Sequence, residues 1–129
     1  MTFQQDSAAV AAVLAYLDAW ERHDVDAVRA ALADDVHMTM VAADPGFPKI
    51  ELSGRDAYVD GLLQSKDAIV RGSTEVVEAV GDETQALLRV NTTVKFGPDA
   101  PELAARSARM YVLDGEGKIA TEHVIFFLT

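Results

Sequence analysis

Two ionisable residues interrupt an otherwise largely apolar run late in the sequence. Glu122 and His123 stand in KIATEHVIFFLT, whose apolar residues fall on both alternating faces, as in a strand buried on both sides. A buried carboxylate or imidazole must be paired, neutralised or used in function. Glu122 is therefore the first candidate for acid–base chemistry, whereas a lone His123 on the opposite face is more typical of a structural residue.

A cation is predicted opposite Glu122. The turn DGEGK precedes this strand, and a hairpin closed by Leu113 and Lys118 places Arg109 directly across from Glu122. A guanidinium bound to the carboxylate would keep both groups ionised inside the protein. Two interpretations stay open: the pair joins two strands structurally, or it faces a cavity where Arg109 stabilises a developing negative charge and Glu122 moves a proton.

The elements that would hold these residues follow from periodicity. Apolar residues at helical spacing predict helices over Ser7–Glu21, with Asp6 or Ser7 as its cap, over a segment capped by Asp24, and after a capping-box-like start at Ser53 and Asp56. VHMTMVA and KIEL are predicted to form a hairpin around DPGFP, and four long strands follow from Ile69. Helices placed ahead of a mostly antiparallel sheet indicate an α+β fold, in which a strongly curved sheet wraps around the helices and encloses a cavity.

Composition narrows the function classes. The 129 residues predict one domain, 1–129, and a formal charge of −10 opposes binding to nucleic acid or to an anionic membrane surface. The chain has no cysteine, which excludes disulfides and thiolate ligands and agrees with a cytoplasmic protein. The three histidines lack the spacing of metal ligands, so no metal site is predicted.

Three stretches carry a family resemblance. YLDAWERHDVDAVRAALADDV, LSGRDAYVDGL and GKIATEHVIFF together resemble the superfamily of ketosteroid isomerases, scytalone dehydratases, limonene epoxide hydrolases, SnoaL-type polyketide cyclases and nuclear transport factor two. The resemblance implies a conical α+β barrel with an internal hydrophobic pocket and no cofactor. It also implies a homodimer, formed through the sheet face that carries Arg89, Asn91, Thr93 and Lys95.

The same resemblance suggests roles for single residues. Tyr16 falls where ketosteroid isomerases keep the tyrosine of their oxyanion hole, and Arg109 falls where they keep a protonated aspartate. Asp44–Pro45 could match the Asp–Pro of their general base, so Asp44 at the pocket mouth and Glu122 are both candidates for moving the proton. The pocket is expected to be lined by Trp20, Met38, Met40, Leu88, Val90, Tyr111, Val124 and Phe126.

These residues predict a cofactor-independent enzyme that binds a hydrophobic, oxygenated small molecule, such as a polyketide-like or terpenoid carbonyl compound. Isomerisation, cyclisation and dehydration by proton transfer all fit the candidate side chains. A non-catalytic binding module of the same fold is the main alternative. An epoxide hydrolase-like activity is another, because Arg89-Val90-Asn91 is similar to the Arg-x-Asp of limonene epoxide hydrolases.

Overall fold

A seven-stranded sheet and three helices build the fold. The structure, a computed structural model, describes residues 3–4 and 6–128. The helices are α1 (Ala8–Glu21), α2 (Val25–Ala31) and α3 (Arg55–Ser65), and a short 3-10 helix (Lys66–Ala68) follows α3. The strands are β1 (Phe3–Gln4), β2 (Leu32–Ala42), β3 (Ile50–Ser53), β4 (Glu75–Gly81), β5 (Gln85–Val94), β6 (Leu103–Leu113) and β7 (Ile119–Leu128).

The strand order is β1-β4-β5-β6-β7-β2-β3, and β1 and β3 are the two edges of an open sheet. β4 to β7 form an antiparallel meander, whereas β2 joins β7 in parallel. The helices α1 and α3 pack on one face of the sheet, here called the inner face. The predicted α+β class and the predicted order of helices and long strands are confirmed. Within the described residues, no helix combines the length and apolar character that crossing a bilayer requires.

Side-chain caps start the first two helices as predicted, but not the third. Ser7 Oγ accepts a hydrogen bond from Val10 N at 3.1 Å, and Asp24 Oδ1 accepts one from Ala27 N at 3.1 Å. The predicted cap at Ser53 is wrong, because Ser53 ends β3 and its hydroxyl bonds to His37 Nδ1 across the hairpin at 3.0 Å. Gly54 occupies the cap position of α3 instead, with a φ of 92°.

The two faces of β5 differ in burial, as the alternation of residues along this strand predicts. Ala86, Leu88 and Val90 are buried on the inner face, whereas Leu87 and Arg89 are exposed on the outer face. The core beneath the sheet is made by these inner residues together with the apolar stripes of α1 and α3. The inner face therefore positions the candidate site against the helices.

Gly81 is expected to tolerate no side chain. A Cβ at Gly81 would lie 2.3 Å from the carbonyl oxygen of Gln85 in the adjacent strand, so backbone would have to move. We expect Gly81→Ala to lower the free energy of unfolding in urea by about 1–3 kcal/mol. Gly115→Ala is the matched control, because nothing lies within 4 Å of the added Cβ there. Equal stabilities of the two variants would contradict the close approach of β4 and β5.

Candidate functional site

The predicted pairing of Arg109 with Glu122 is wrong. Glu122 lies directly opposite Tyr111 in the β6–β7 ladder, and Arg109 lies opposite Val124. Among the ion pairs within the described residues, none joins Arg109 to Glu122. The two charged groups therefore share the inner face without binding each other.

The turn before β7 explains the difference. Leu113 pairs with Ile119 rather than with Lys118, and Ala120 is then an extra residue in a β-bulge. Each change alone offsets the strand by one residue, which would turn its side chains to the other face. The two offsets together make a shift of two, so Glu122 keeps its predicted inner face with 4% of its surface exposed.

A chain of hydrogen bonds joins three buried side chains from three elements. The Tyr58 hydroxyl, on α3, donates to Glu122 Oε1 at 2.6 Å. The hydroxyls of Tyr58 and Tyr16, on α1, are hydrogen-bonded to each other. All three residues are buried. Breaking one hydrogen bond of a buried network would leave a polar group without a partner, which costs free energy.

The direction of this chain follows from counting hydrogens. A tyrosine hydroxyl has one hydrogen, and that of Tyr58 is donated to the Glu122 carboxylate. Tyr16 must therefore donate to Tyr58 in the bond between them. Its single hydrogen is then occupied inside the protein, which leaves Tyr16 without a donor for a ligand in this arrangement.

Two other side chains with hydrogen-bond donors, Tyr111 and Arg109, lie beside this chain of hydrogen bonds. The Tyr111 hydroxyl is completely buried. Arg109 is partly buried, and its Nε donates to Ser107 Oγ at 3.0 Å. Its guanidinium also interacts with the Tyr111 hydroxyl and the Glu122 carboxylate. The site thus combines an oriented carboxylate with a buried tyrosine hydroxyl and a guanidinium.

Electrostatics keep the three tyrosines neutral. Burial raises the pKa of Tyr16, Tyr58 and Tyr111 above the ordinary tyrosine range, and the nearby Glu122 charge raises it further. Burial alone would lower the pKa of Arg109, but Tyr111 and Glu122 raise it above its ordinary value. The tyrosines therefore act as hydrogen-bond donors, and Glu122 is the group in this cluster suited to accept a proton.

This shared pKa shift predicts alkaline unfolding. When folding raises the pKa of a tyrosine, its contribution to stability is fully present below the unfolded pKa of 10.0. This contribution is lost progressively as the pH rises from the unfolded pKa toward the folded pKa. Above the unfolded pKa, each of the three tyrosines is expected to lower the free energy of unfolding by about 1.4 kcal/mol per pH unit. The chain has three tyrosines, all in this cluster, so phenolate absorbance reports on it alone. We expect ionisation to coincide with loss of circular dichroism; ionisation in a folded protein would contradict the burial.

The predicted lining residues mostly share the inner face around this cluster. Met38 lies beside Glu122, and Met40 lies beside Val124. The remaining sheet residues continue these rows along the inner face; they are Leu88, Val90, Tyr111, Val124 and Phe126. That they line a ligand pocket stays a prediction.

Trp20 and Asp44 make their contacts outside the hydrogen-bonded cluster. Trp20 borders a small cavity of about 10 Å³ between the helices, with Val28 and Leu62 among its other lining residues. Asp44 is exposed and its Oδ1 accepts a hydrogen bond from Gly46 N at 2.8 Å, as a turn former does. It stands six residues along the chain from Met38, the partner of Glu122, which is up to about 20 Å in extended backbone.

Tyr58 is the site residue that sequence reasoning missed. It lies in LSGRDAYVDGL, where its spacing to Leu62 is that of an ordinary core position on an amphipathic helix. Tyr111 was expected only to line the pocket. The available signal was chemical: a buried tyrosine hydroxyl needs a partner, and a buried glutamate needs a donor. No group of three or more acidic or histidine side chains in the described residues is arranged to hold a metal ion.

Comparison with known proteins identifies the family of this chain. The family model described as SnoaL-like domain matches residues 13–122, which include Tyr16, Tyr58, Arg109, Tyr111 and Glu122. The chain belongs to the SnoaL-like domain family. The recognition of this family from sequence is confirmed, and no curated protein matches the chain significantly.

Several solved structures have folds similar to that of this SnoaL-like chain. A protein from Kribbella flavida DSM 17836 is 26% identical, with 94% of this chain and 88% of that chain covered and a TM-score of 0.72. An LEH-like epoxide hydrolase from Mycobacterium tuberculosis is 23% identical over 92% and 82%, with a TM-score of 0.69. Another Mycobacterium tuberculosis protein, solved with estradiol-17beta-hemisuccinate, is 17% identical over 92% and 93%, with a TM-score of 0.76. The latter two similarities show the fold alone.

Proposed function

We propose that this SnoaL-like protein is a cofactor-independent enzyme that binds a hydrophobic, oxygenated small molecule and catalyses proton transfer on it. The observation that carries the proposal is the orientation of Glu122 by the 2.6 Å bond from Tyr58, on the same face as the guanidinium of Arg109. A carboxylate held in this way can remove a proton while a cation stabilises the resulting negative charge. Isomerisation, cyclisation and dehydration can all begin with this step.

The first step would act on a C–H bond next to a carbonyl group. The C–H bond breaks, its proton goes to the free oxygen of Glu122, and its electron pair forms a C=C bond as the carbonyl oxygen becomes an enolate oxygen. Arg109 would bind this oxygen through its terminal N–H groups. Return of the proton to a different carbon completes an isomerisation, whereas attack of the enolate on a second carbonyl gives a cyclisation.

Access to the cluster is favoured from the Ser107 end of the inner face. Tyr111 is completely buried, whereas Arg109, Ser107 and Phe126 on the same face are each partly exposed. Phe47 in the β2–β3 loop lies 6.2 Å from Phe126 between ring centres, so this loop contacts that end of the inner face. An apolar molecule entering beneath Phe47 would meet Arg109 before Glu122.

Solvent deuterium exchange tests the proposal without knowledge of the product. A panel of apolar ketones is incubated with the protein in deuterium oxide, and label at the carbon beside the carbonyl is followed by nuclear magnetic resonance. Exchange above the protein-free rate is expected for at least one ketone. Tight binding of a ketone with no exchange would favour the non-catalytic binding module.

The similarity to an epoxide hydrolase gains no support from the Arg89 motif. Arg89 is exposed on the outer face, where its Nη2 forms an ion pair with Glu78 Oε1 at 2.6 Å. A side chain on that face cannot reach a ligand held between the sheet and the helices. We therefore retain proton transfer as the proposed reaction.

We also propose a homodimer formed through the outer face of the sheet. Three large apolar side chains stand exposed on this face: Leu87 at 53%, Ile125 at 59% and Phe127 at 44%. Leu87 shares β5 with Arg89 and Asn91, and Ile125 and Phe127 lie on β7, two strands along the sheet. An apolar patch rimmed by polar residues is typical of an interface.

A mass measurement tests the dimer. We expect a dimer at micromolar concentration by light scattering, and a monomer for Ile125→Glu, because the substitution would bury a carboxylate at the contact. Leu63→Glu is the matched control, since Leu63 is 38% exposed but lies on α3. A wild-type monomer, or equal masses for the wild type and Ile125→Glu, would contradict the proposed interface.

A further inference from the structure

We infer that His123 makes the homodimer sensitive to pH, so that the affinity between two copies of this chain falls as this histidine becomes protonated. The inference rests on the proposed homodimer, because it needs a second copy packed against the outer face of the sheet. It starts from an ionisable residue that the candidate site does not use. His123 follows Glu122 along β7 and therefore lies on the outer face, where its side chain makes no hydrogen bond or ion pair within the described residues.

His123 belongs to the apolar patch that the proposed interface would cover. Met110 on β6 lies directly opposite His123, and Leu87 on β5 lies directly opposite Met110. Ile125 lies two residues after His123 on the same face of β7. Leu87 and Ile125 are exposed, whereas His123 is already partly buried in the single chain. A second copy on this patch would therefore cover the imidazole as well.

The side chains around the imidazole on the outer face are uncharged, except that one of them is a second histidine, His37. The surrounding positions on β6, β7 and β2 are Ala108, Met110, Val112, Thr121, Ile125, His37, Thr39 and Val41. The charged residues of the inner face, Arg109 and Glu122, point toward the helices. The exposed charged residues of β2, β5 and β6 do not adjoin His123; they are Asp34, Asp35, Arg89 and Arg106.

One carboxylate of this face, Glu51, adjoins His37 rather than His123. Glu51 lies opposite Thr39 on β3, two strands from His123, which is about 10 Å between backbones. Its Oε1 lies 4.0 Å from His37 Nε2, and His37 Nδ1 is hydrogen-bonded to Ser53 Oγ at 3.0 Å. A protonated His37 would thus have a carboxylate beside it, whereas a protonated His123 would have none among the described residues.

Protonation of His123 inside the interface would bury an unpaired charge. Burial without a partner disfavours the charged form of an imidazole. In a two-fold dimer both copies contribute the same surface, so each His123 would face uncharged side chains. Association therefore requires a neutral histidine in both copies and releases protons, which makes the dimer weaker as the pH falls. Histidine is the side chain that ordinarily changes its charge between about pH 5 and pH 8, so the effect is expected in this range.

Sedimentation equilibrium at about pH 8 and about pH 5.5 tests the inference. The dissociation constant of the wild-type dimer is expected to be at least about tenfold higher at the lower pH, since each released proton changes it by up to about tenfold per pH unit. His123→Gln stays uncharged at both pH values, so its dissociation constant should be nearly the same in both. His37→Gln is the matched control on the same face, and it should keep the pH dependence of the wild type.

The overall charge of the protein predicts the opposite trend, which makes the result specific. The formal charge of −10 becomes less negative as histidines are protonated, so repulsion between two copies should fall with the pH. A dimer that becomes tighter at the lower pH, or that does not respond to pH, would therefore overturn the role of His123.

The variants separate this inference from the proposed homodimer. A wild-type monomer at about pH 8 would contradict the homodimer itself. A dimer whose pH dependence persists in His123→Gln, or is lost in His37→Gln instead, would leave the homodimer standing and overturn only the inference about His123. General unfolding at the lower pH would affect His123→Gln as well, and it would therefore count against the inference in the same way.

Discussion

Glu122→Gln is expected to abolish deuterium exchange into ketones while leaving the protein folded. The amide has the shape of the carboxylate, and its carbonyl oxygen can still accept the hydrogen of Tyr58, which now comes to Glu122 Oε1 at 2.6 Å. The amide cannot take up a proton, so a rate loss of about 10²–10⁴ is expected for removal of a general base. The exchange rate and urea unfolding are measured on the same preparation.

Two further variants complete this test: a control substitution on the surface and a substitution of a second carboxylate. Glu78→Gln removes an exposed carboxylate that pairs with Arg89 on the outer face, so the exchange rate should not change. Retained exchange in Glu122→Gln would show that another group takes the proton. Asp44→Asn then becomes the informative variant, because Asp44 is the other carboxylate that the family resemblance suggests.

Tyr58→Phe is expected to lower the free energy of unfolding by about 2–3 kcal/mol, as for a buried hydrogen bond to a charged group. The substitution leaves the Glu122 carboxylate without its donor and the Tyr16 hydroxyl without its acceptor. Denaturant unfolding measures the loss. Because Tyr58 acts through Glu122, it is a positioning residue, and its removal should also shift the pH dependence of exchange.

A double-mutant cycle separates this coupling from simple loss of packing. Glu122→Leu removes the buried charge, so adding Tyr58→Phe to it should cost clearly less than Tyr58→Phe costs in the wild type. Additive losses would contradict the bond between the two side chains. A stable Tyr58→Phe protein would contradict it as well.

The elements of the fold could be predicted from sequence because their signals are local. Ser7 and Asp24 cap helices as their spacing indicates, and the alternation of Leu88 and Val90 gives the inner face of β5. The SnoaL-like family could be recognised for the same reason, since its motifs lie within short stretches. The inward orientation of Glu122 also followed from alternation along its strand.

The partners inside the site could not be predicted in the same way. The Leu113–Ile119 pairing at the turn and the bulge at Ala120 together move Glu122 from Arg109 to Tyr111, and apolar periodicity predicts neither of them. Tyr58 reaches Glu122 across 64 positions of sequence, through the packing of α3 on the sheet. Contacts of this kind depend on tertiary geometry, which side-chain spacing alone does not encode.

The proposed proton transfer has a stereochemical consequence, because Tyr58 binds only one of the two carboxylate oxygens of Glu122. Tyr58 occupies Oε1, so a proton removed from a ligand is held on the other oxygen, on one side of the bound molecule. The same oxygen is expected to return it, because the hydrogens of the Tyr16–Tyr58 chain point toward the carboxylate. A shifted double bond should therefore gain its hydrogen on the face from which the first was lost, and part of the original hydrogen should reappear at the new carbon.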